Sequence, residues 1–127
     1  MIVLDASALL ALVQREPGGG KVHGVLRASA VSAVNSTEVS NKLYDKMGIA
    51  QGSLIAAQLA SLVKEIVPYS FGETHAASVI HAGNRHLGIS LGDCICLALG
   101  RKRGADVWTC DRKWAQLDAS YRVIVLR

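Results

Sequence analysis

Four acidic residues in this chain stand where an apolar run ends or where a helix-like segment begins. They are Asp5, Glu38, Asp93 and Asp111. Asp5 is the most informative of them, because it is the only charged residue among the first thirteen, which are mostly apolar. A buried carboxylate costs free energy unless it is hydrogen-bonded, paired or bound to a cation. The placement of Asp5 therefore indicates a chemical role.

Carboxylates that converge from distant parts of a chain suit a divalent cation. Neighbouring carboxylates repel and raise one another's pKa, whereas Mg²⁺ and Mn²⁺ prefer oxygen ligands and keep several of their waters. A cation held in this way can bind a phosphate, lower the pKa of a water and stabilise a leaving oxygen. The four acids therefore predict an Mg²⁺ or Mn²⁺ site for phosphodiester hydrolysis.

Each acid taken singly also has a structural explanation. Acidic residues are favoured in the first turn of any helix, because they complement the helix dipole. Asn35 with Glu38, and Ser90 with Asp93, fit helix-capping patterns. Asp111 suits a turn. Only the joint pattern separates a metal site from four ordinary caps.

The elements that must position these acids alternate between strands and helices. We predict short strands at residues 2–4, 30–34, 66–67, 106–109 and 121–126, and helices at 6–15, 21–28, 35–47, 53–64, 70–87 and 90–103. Alternating strands and helices with buried-strand composition are typical of a parallel α/β protein. We expect a three-layer α/β/α sandwich with a central parallel sheet of four to five strands, formed by residues 1–127 as one domain. The four acids then share the edge outside the carboxyl ends of the strands, where ligands bind.

The composition fits this architecture. Of the 127 residues, 50% are hydrophobic, 19% charged and only 5% aromatic, which favours helices packed on a buried sheet over a sandwich rich in Tyr and Trp. The net charge of +4 permits a polyanionic partner.

The three cysteines form no paired framework and no C-x-x-C motif, so they indicate reduced thiols. No stretch is long and apolar enough for a membrane span, and Asp5 interrupts the only run that resembles a signal peptide. We expect a cytoplasmic protein with no membrane association.

The segments around the four acids resemble a known family. They read VLDASALLA at 3–11, SAVNSTEV at 32–39, ISLGDCICLALG at 89–100 and WTCDRKW at 108–114. In order and separation they are similar to the successive motifs of PIN-domain ribonucleases, and most closely to those of the VapC-type toxins of type II toxin–antitoxin modules. The resemblance covers nearly the whole chain and implies a PIN-like fold.

This resemblance implies a metal-dependent endoribonuclease in which the four acids hold Mg²⁺ or Mn²⁺ and are the catalytic residues. Ser7, Asn35 and Thr109 match supporting positions of the motifs. Ser7 would bond to a ligand carboxylate or a water, and Thr109 would orient the last acid. Asn35 also has a simpler explanation as a helix N-cap. Because the fourth acidic position varies in the family, direct binding by Asp111 stays open.

The resemblance also implies partners. They are an RNA substrate, with tRNA or rRNA as the family-level expectation, a VapB-like antitoxin, and a second copy of the chain in a homodimer. An RNA-cleaving site needs positive flanks for the phosphates. Arg85, Arg112 and Lys113 are the candidate RNA-binding residues. The basic run 101–103 ends a helix, so it should lie at the opposite edge of the sheet.

Three other functions remain open from the sequence. A catalytically silent PIN-fold module would bind RNA or a partner protein without cleaving. A metal phosphatase would act on small substrates. A receiver-like phosphoacceptor domain would require a second acid beside the first strand, and Asp5 has none.

Overall fold

Five short strands form one parallel sheet at the centre of the molecule. The computed structural model describes all residues, 1–127. Its strands are β1 (Ile2–Leu4), β2 (Ser29–Ser32), β3 (Glu65–Val67), β4 (Asp106–Thr109) and β5 (Val123–Val125), in the spatial order β3-β2-β1-β4-β5. Every neighbouring pair is parallel. The apolar run of β1 is explained by its central place, because a strand covered on both faces needs no polar side.

Helices cover both faces of this sheet. The helices are α1 (Ala6–Val13), α2 (Gly19–Val25), α3 (Ala33–Leu62), α4 (Thr74–Gly83) and α5 (Leu91–Arg103). Successive strand residues point to opposite faces, so Val3 and Ala30 join the core under α4 and α5, while Leu4 and Val31 join the core under α1, α2 and α3. The expected three-layer α/β/α sandwich with a parallel sheet is confirmed.

Five short 3₁₀ helices complete the chain, at Leu26–Ala28, Phe71–Glu73, Arg85–Leu87, Arg112–Gln116 and Ala119–Tyr121. The predicted helix 70–87 is too long. Only α4 within it is α-helix, and 3₁₀ turns flank α4 at both ends. Asn84 ends α4, because its side chain donates to the carbonyl of Ile80 at 2.9 Å.

The predicted start of α3 at Asn35 is wrong. The strand before it ends at Ser32, and Ser32 is the N-cap, since its hydroxyl accepts from the amide of Val34 at 3.2 Å. Asn35 lies inside the first turn and is buried. Glu38 therefore lies in the second turn of α3, and helix capping does not explain it.

The α3 helix folds back on itself at Gly48. This residue has φ 83° and ψ 167°, a backbone conformation that glycine adopts at little cost. Helix resumes directly afterwards, so the predicted loop before residue 53 does not exist. Gly52 lies against the backbone of Leu43 and Tyr44, and this close approach holds the two arms of α3 together.

The strand order changes direction beside β1. The chain passes from β1 through β2 to β3 on one side, and β4 and β5 then pair on the other side of β1. In open parallel sheets, ligands bind outside the carboxyl ends of the strands at such a switch point. Asp5 directly follows β1, and Asp111 follows β4 by two residues. No helix of the structure has both the length and the hydrophobicity of a membrane span.

Candidate active site

Asp5 lies at the switch point and is almost completely buried, with 3% of its surface exposed. It is the N-cap of α1, because Oδ1 accepts from the amide of Ala8 at 2.9 Å. Its carboxylate also accepts from the Ser7 hydroxyl at 2.7 Å and from the Thr109 hydroxyl at 2.7 Å. Burial nevertheless outweighs these bonds and raises the pKa of Asp5 to about 6.

Thr109 and Ser7 connect Asp5 to the loop that carries Asp111. The Thr109 hydroxyl donates to Asp5 and accepts from the amide of Asp111 at 3.0 Å. The Ser7 hydroxyl accepts from the amide of Cys110 at 2.9 Å. Because each hydroxyl bonds a carboxylate on one side and the β4 loop on the other, the two residues fix the end of β1 relative to the end of β4.

Asp93 reaches the site from the N-terminus of α5. Ser90 and Asp93 form a capping box, in which the Ser90 amide donates to Asp93 Oδ2 at 2.9 Å and the Asp93 amide donates to Ser90 Oγ at 3.2 Å. The pKa of Asp93 is raised above its usual value, mainly by burial and further by the negative charge of Asp111. The bonds from Ser90 and the positive charge of Lys113 offset part of this increase. Asp93, Asp111 and Lys113 therefore lie within electrostatic reach of one another.

Glu38 approaches from α3 and lies against α5. Its Oε1 accepts from Nδ2 of Asn35 at 2.7 Å, and the same Nδ2 donates to the carbonyl of Gly92 at 3.2 Å. The Glu38 carboxylate occupies the space that a Cβ on Gly92, the residue before Asp93, would fill. This contact brings the second acid beside the third.

The buried thiol of Cys96 lies within electrostatic reach of three of the acids. Burial raises its pKa, and the negative charges of Asp5, Asp93 and Glu38 raise it further. Asp5 also responds to Asp93, whose charge contributes to its raised pKa. The structure therefore brings Asp5, Glu38, Asp93 and Asp111 to one edge of the sheet.

The acids are not preassembled as metal ligands, because no three His, Cys, Asp or Glu side chains stand at metal-binding separation. Each carboxylate is instead held by protein donors: the Ala8, Ser90 and Lys113 amides and the side chains of Ser7, Asn35 and Thr109. An all-oxygen donor set is nevertheless what Mg²⁺ and Mn²⁺ prefer. The residues present fit a hard divalent cation.

The three candidate RNA-binding residues differ in position. Lys113 is exposed and lies within electrostatic reach of Asp93, whose pKa its positive charge lowers. Arg112 turns away, because its Nε donates to the carbonyl of Arg127 at 3.3 Å. Arg85 is exposed on a 3₁₀ helix that packs beside Arg112–Gln116, and it contacts none of the acids. The basic run 101–103 forms the last turn of α5, at the end of that helix opposite Asp93.

Sequence reasoning overlooked Gly92 and Cys96. Gly92 was hidden because a glycine in a helix carries no group for chemistry, although its place directly before Asp93 was a usable signal. Cys96 follows Asp93 by one helical turn, so helical spacing alone places it on the same face.

Comparison with known proteins identifies the family of this chain. The family model of the PIN domain matches residues 2–120. The chain belongs to the PIN domain family. No curated protein sequence matches this PIN domain.

Solved structures share the fold across the full length. The VapBC2 complex of Rickettsia felis, bound to a DNA fragment from its promoter, is 14% identical with a TM-score of 0.78, over 100% of both chains. Mycobacterium tuberculosis VapC20, a sarcin–ricin loop cleaving toxin, is 18% identical with a TM-score of 0.75, over 91% of this chain and 93% of that one. FitAcB of Neisseria gonorrhoeae is 16% identical with a TM-score of 0.73, over 100% and 97%. These likenesses show that this PIN domain has the fold of VapC toxins.

Proposed function

We propose that this PIN domain is a metal-dependent endoribonuclease and the toxin of a toxin–antitoxin pair. The observation that carries the proposal is the convergence of Asp5, Glu38, Asp93 and Asp111 at the carboxyl edge of the sheet, beside the switch point. Bringing four acids from four separate segments together costs stability, because the carboxylates repel one another. Stability of the fold therefore does not explain their convergence.

Asp5, Glu38 and Asp93 would hold Mg²⁺ or Mn²⁺, with Asp111 either binding the cation or acting from beside it. When bound, the cation supplies positive charge for the scissile phosphate and lowers the pKa of the attacking water. The products are a 5′-phosphate and a 3′-hydroxyl.

The remaining residues of the site orient these carboxylates. Ser7 and Thr109 hold the Asp5 carboxylate by hydrogen bonds, and the capping box with Ser90 holds Asp93. Lys113 lies within electrostatic reach of Asp93, and we assign it contact with an RNA phosphate near the scissile bond. Arg85 lies on a 3₁₀ helix that packs beside Arg112–Gln116, whereas Arg112 would need to leave Arg127 before it could bind RNA.

The proposed partners follow from the similar structures. Several of them are toxin–antitoxin complexes, among them one from Klebsiella pneumoniae and VapBC-1 of Haemophilus influenzae. We infer a VapB-like antitoxin for this chain and a homodimer as its working form. A structured RNA is the proposed substrate, because the relative from M. tuberculosis cleaves the sarcin–ricin loop.

The test is RNA cleavage by the purified protein with variants of matched design. We expect discrete fragments from total RNA or a tRNA pool with Mg²⁺ or Mn²⁺, and none with EDTA, Asp5→Asn or Asp93→Asn. Asp118→Asn is the control, because Asp118 caps the 3₁₀ helix Ala119–Tyr121 by the same bond geometry that Asp111 uses for Arg112–Gln116, but away from the site. Asp118→Asn should cleave like the wild type.

Other outcomes assign the protein elsewhere. Equal cleavage by folded Asp5→Asn and Asp93→Asn variants would mean a contaminant or a different site. RNA binding without cleavage under either metal would identify a silent binding module. Hydrolysis of small phosphate esters with RNA left intact would identify a phosphatase.

A further inference from the structure

Gly92 makes room for the Glu38 carboxylate. Gly92 is buried in the first turn of α5, and a Cβ added to it would overlap Oε1 and Cδ of Glu38. Its backbone has no positive φ, so the helix does not need glycine for its conformation. Glycine inside a helix is less stable than alanine. What glycine provides at this position, and alanine would not, is therefore the space that the Glu38 carboxylate fills.

The Glu38 carboxylate lies in a slot between Gly92 and Asn35. Nδ2 of Asn35 donates to the carboxylate of Glu38 and to the carbonyl of Gly92. Both partners are acceptors, so the amide cannot be reversed. Oδ1 of Asn35 then stays buried without a partner, which costs stability. Asn35 therefore keeps its amide nitrogen on Glu38 and Gly92 although its own oxygen is left without a partner.

We propose that Gly92 is a positioning residue, which sets the location of the Glu38 carboxylate beside Asp93 and thereby completes the divalent-cation site. The inference rests on the proposed function. The group that a methyl at position 92 would displace is the far end of a flexible side chain, so Gly92→Ala moves the carboxylate out of the slot and leaves α5 intact. The variant loses cation affinity without losing the fold.

The same helix supplies a matched control. Gly100 is also buried in α5, and a Cβ there would overlap Cγ2 of Val107, a core residue of β4 that cannot leave its place. Gly100→Ala therefore tests an equal overlap at the opposite end of the helix. It should lower Tm and leave cation binding unchanged, which is the reverse of the expectation for Gly92→Ala.

The experiment is an Mn²⁺ titration of the full chain, followed by electron paramagnetic resonance of the free ion, with Tm measured in EDTA. Gly92→Ala should raise the dissociation constant about tenfold or more, as loss of a residue that orients a metal ligand does. Glu38→Ala should do the same. The double variant should bind no more weakly than Glu38→Ala alone, because both changes remove one interaction.

Wild-type affinity in Gly92→Ala would overturn the inference, and so would an additive loss in the double variant. If Asp5→Asn and Asp93→Asn also bind Mn²⁺ like the wild type, the proposed function fails, and the Tm values then decide about Gly92. Gly92→Ala should raise Tm more in the Glu38→Ala background, where no carboxylate fills the slot, than in the wild-type background. An equal change in both backgrounds would disprove the positioning contact.

Discussion

At the scale of single residues, the candidate site of this PIN domain contains a carboxylate kept where its charge is unfavourable. Asp5 has three donors in contact with its oxygens, yet its pKa is raised to about 6, because burial outweighs those bonds. An acid with a raised pKa binds its proton more tightly in the folded state than in the unfolded state. The charge of Asp5 therefore destabilises the metal-free protein at neutral pH.

The sign of this effect gives a stability prediction. In EDTA, the contribution of Asp5 to stability should fall as pH rises from about 4 to about 6, since the folded state loses its proton preference over that window. Asp5→Asn removes the effect, and at pH 7 it should raise the free energy of unfolding by up to about 3 kcal/mol. Thermal melts of both proteins at pH 4 and pH 7 measure the difference, and a variant that is less stable than the wild type at pH 7 would contradict it.

At the scale of elements, the site is where three element ends meet the second turn of α3. β1 ends at Leu4 and β4 ends at Thr109, while α5 begins at Leu91 beside the second turn of α3. Thr109, which has no exposed surface, provides a direct link between the first two ends through its hydroxyl. The geometry of the acids therefore depends on bonds between elements more than on the form of any one element.

A substitution at Thr109 tests this dependence. Thr109→Val keeps the shape but removes both the donor to Asp5 and the acceptor for the Asp111 amide. Mn²⁺ affinity should fall roughly 10–100-fold, and cleavage should fall with it. Thr109→Ser keeps the hydroxyl and should retain most of the affinity. Equal affinity of the Val and Ser variants would show that the hydroxyl does not orient the site.

The same distinction explains which parts of the site could be predicted. Asp5 and Asp93 have local signals, namely a strand end and a capping box, and both lie where the sequence places them. Asn35 is not the N-cap that the sequence predicts. Its actual partners, Glu38 and Gly92, come together only in the folded chain, so no local pattern indicates them. The interruption of α3 at Gly48 could be predicted, because glycine is unfavourable inside a helix. The second arm was predicted from residue 53, but its start directly after Gly48 goes with Gly52 packing on Leu43, which no local pattern records.

At the scale of the whole molecule, charge is distributed unevenly. The chain carries a net charge of +4, yet one edge of the sheet gathers four acids, while the basic run 101–103 lies at the far end of α5. A bare acidic edge repels the phosphates of RNA. A divalent cation offsets part of this negative charge and offers phosphate oxygens a positive partner, so the same ion is expected both to stabilise the fold and to admit the substrate.

This expectation can be measured by cation-dependent stability. A ligand at roughly 100 times its dissociation constant stabilises the folded state by about 2.7 kcal/mol. Mg²⁺ or Mn²⁺ should therefore raise the Tm of the wild type by several degrees, and EDTA should reverse the increase. Asp5→Asn and Asp93→Asn should show little or no increase, whereas Asp118→Asn should respond like the wild type. An equal response in all variants would place the ion outside the site.

The strand order also determines when the site can form. β1 is the first strand to be synthesised, but its neighbour β4 begins only at Asp106, and the Thr109 that holds Asp5 comes later still. A nascent chain that ends before these residues has Asp5, Glu38 and Asp93 but lacks the strand that closes the edge around them. The central pairing is therefore among the last long-range contacts to become possible. If the proposed RNA cleavage is correct, the site stays unassembled during most of the protein's own translation, while the ribosome that makes it is close by.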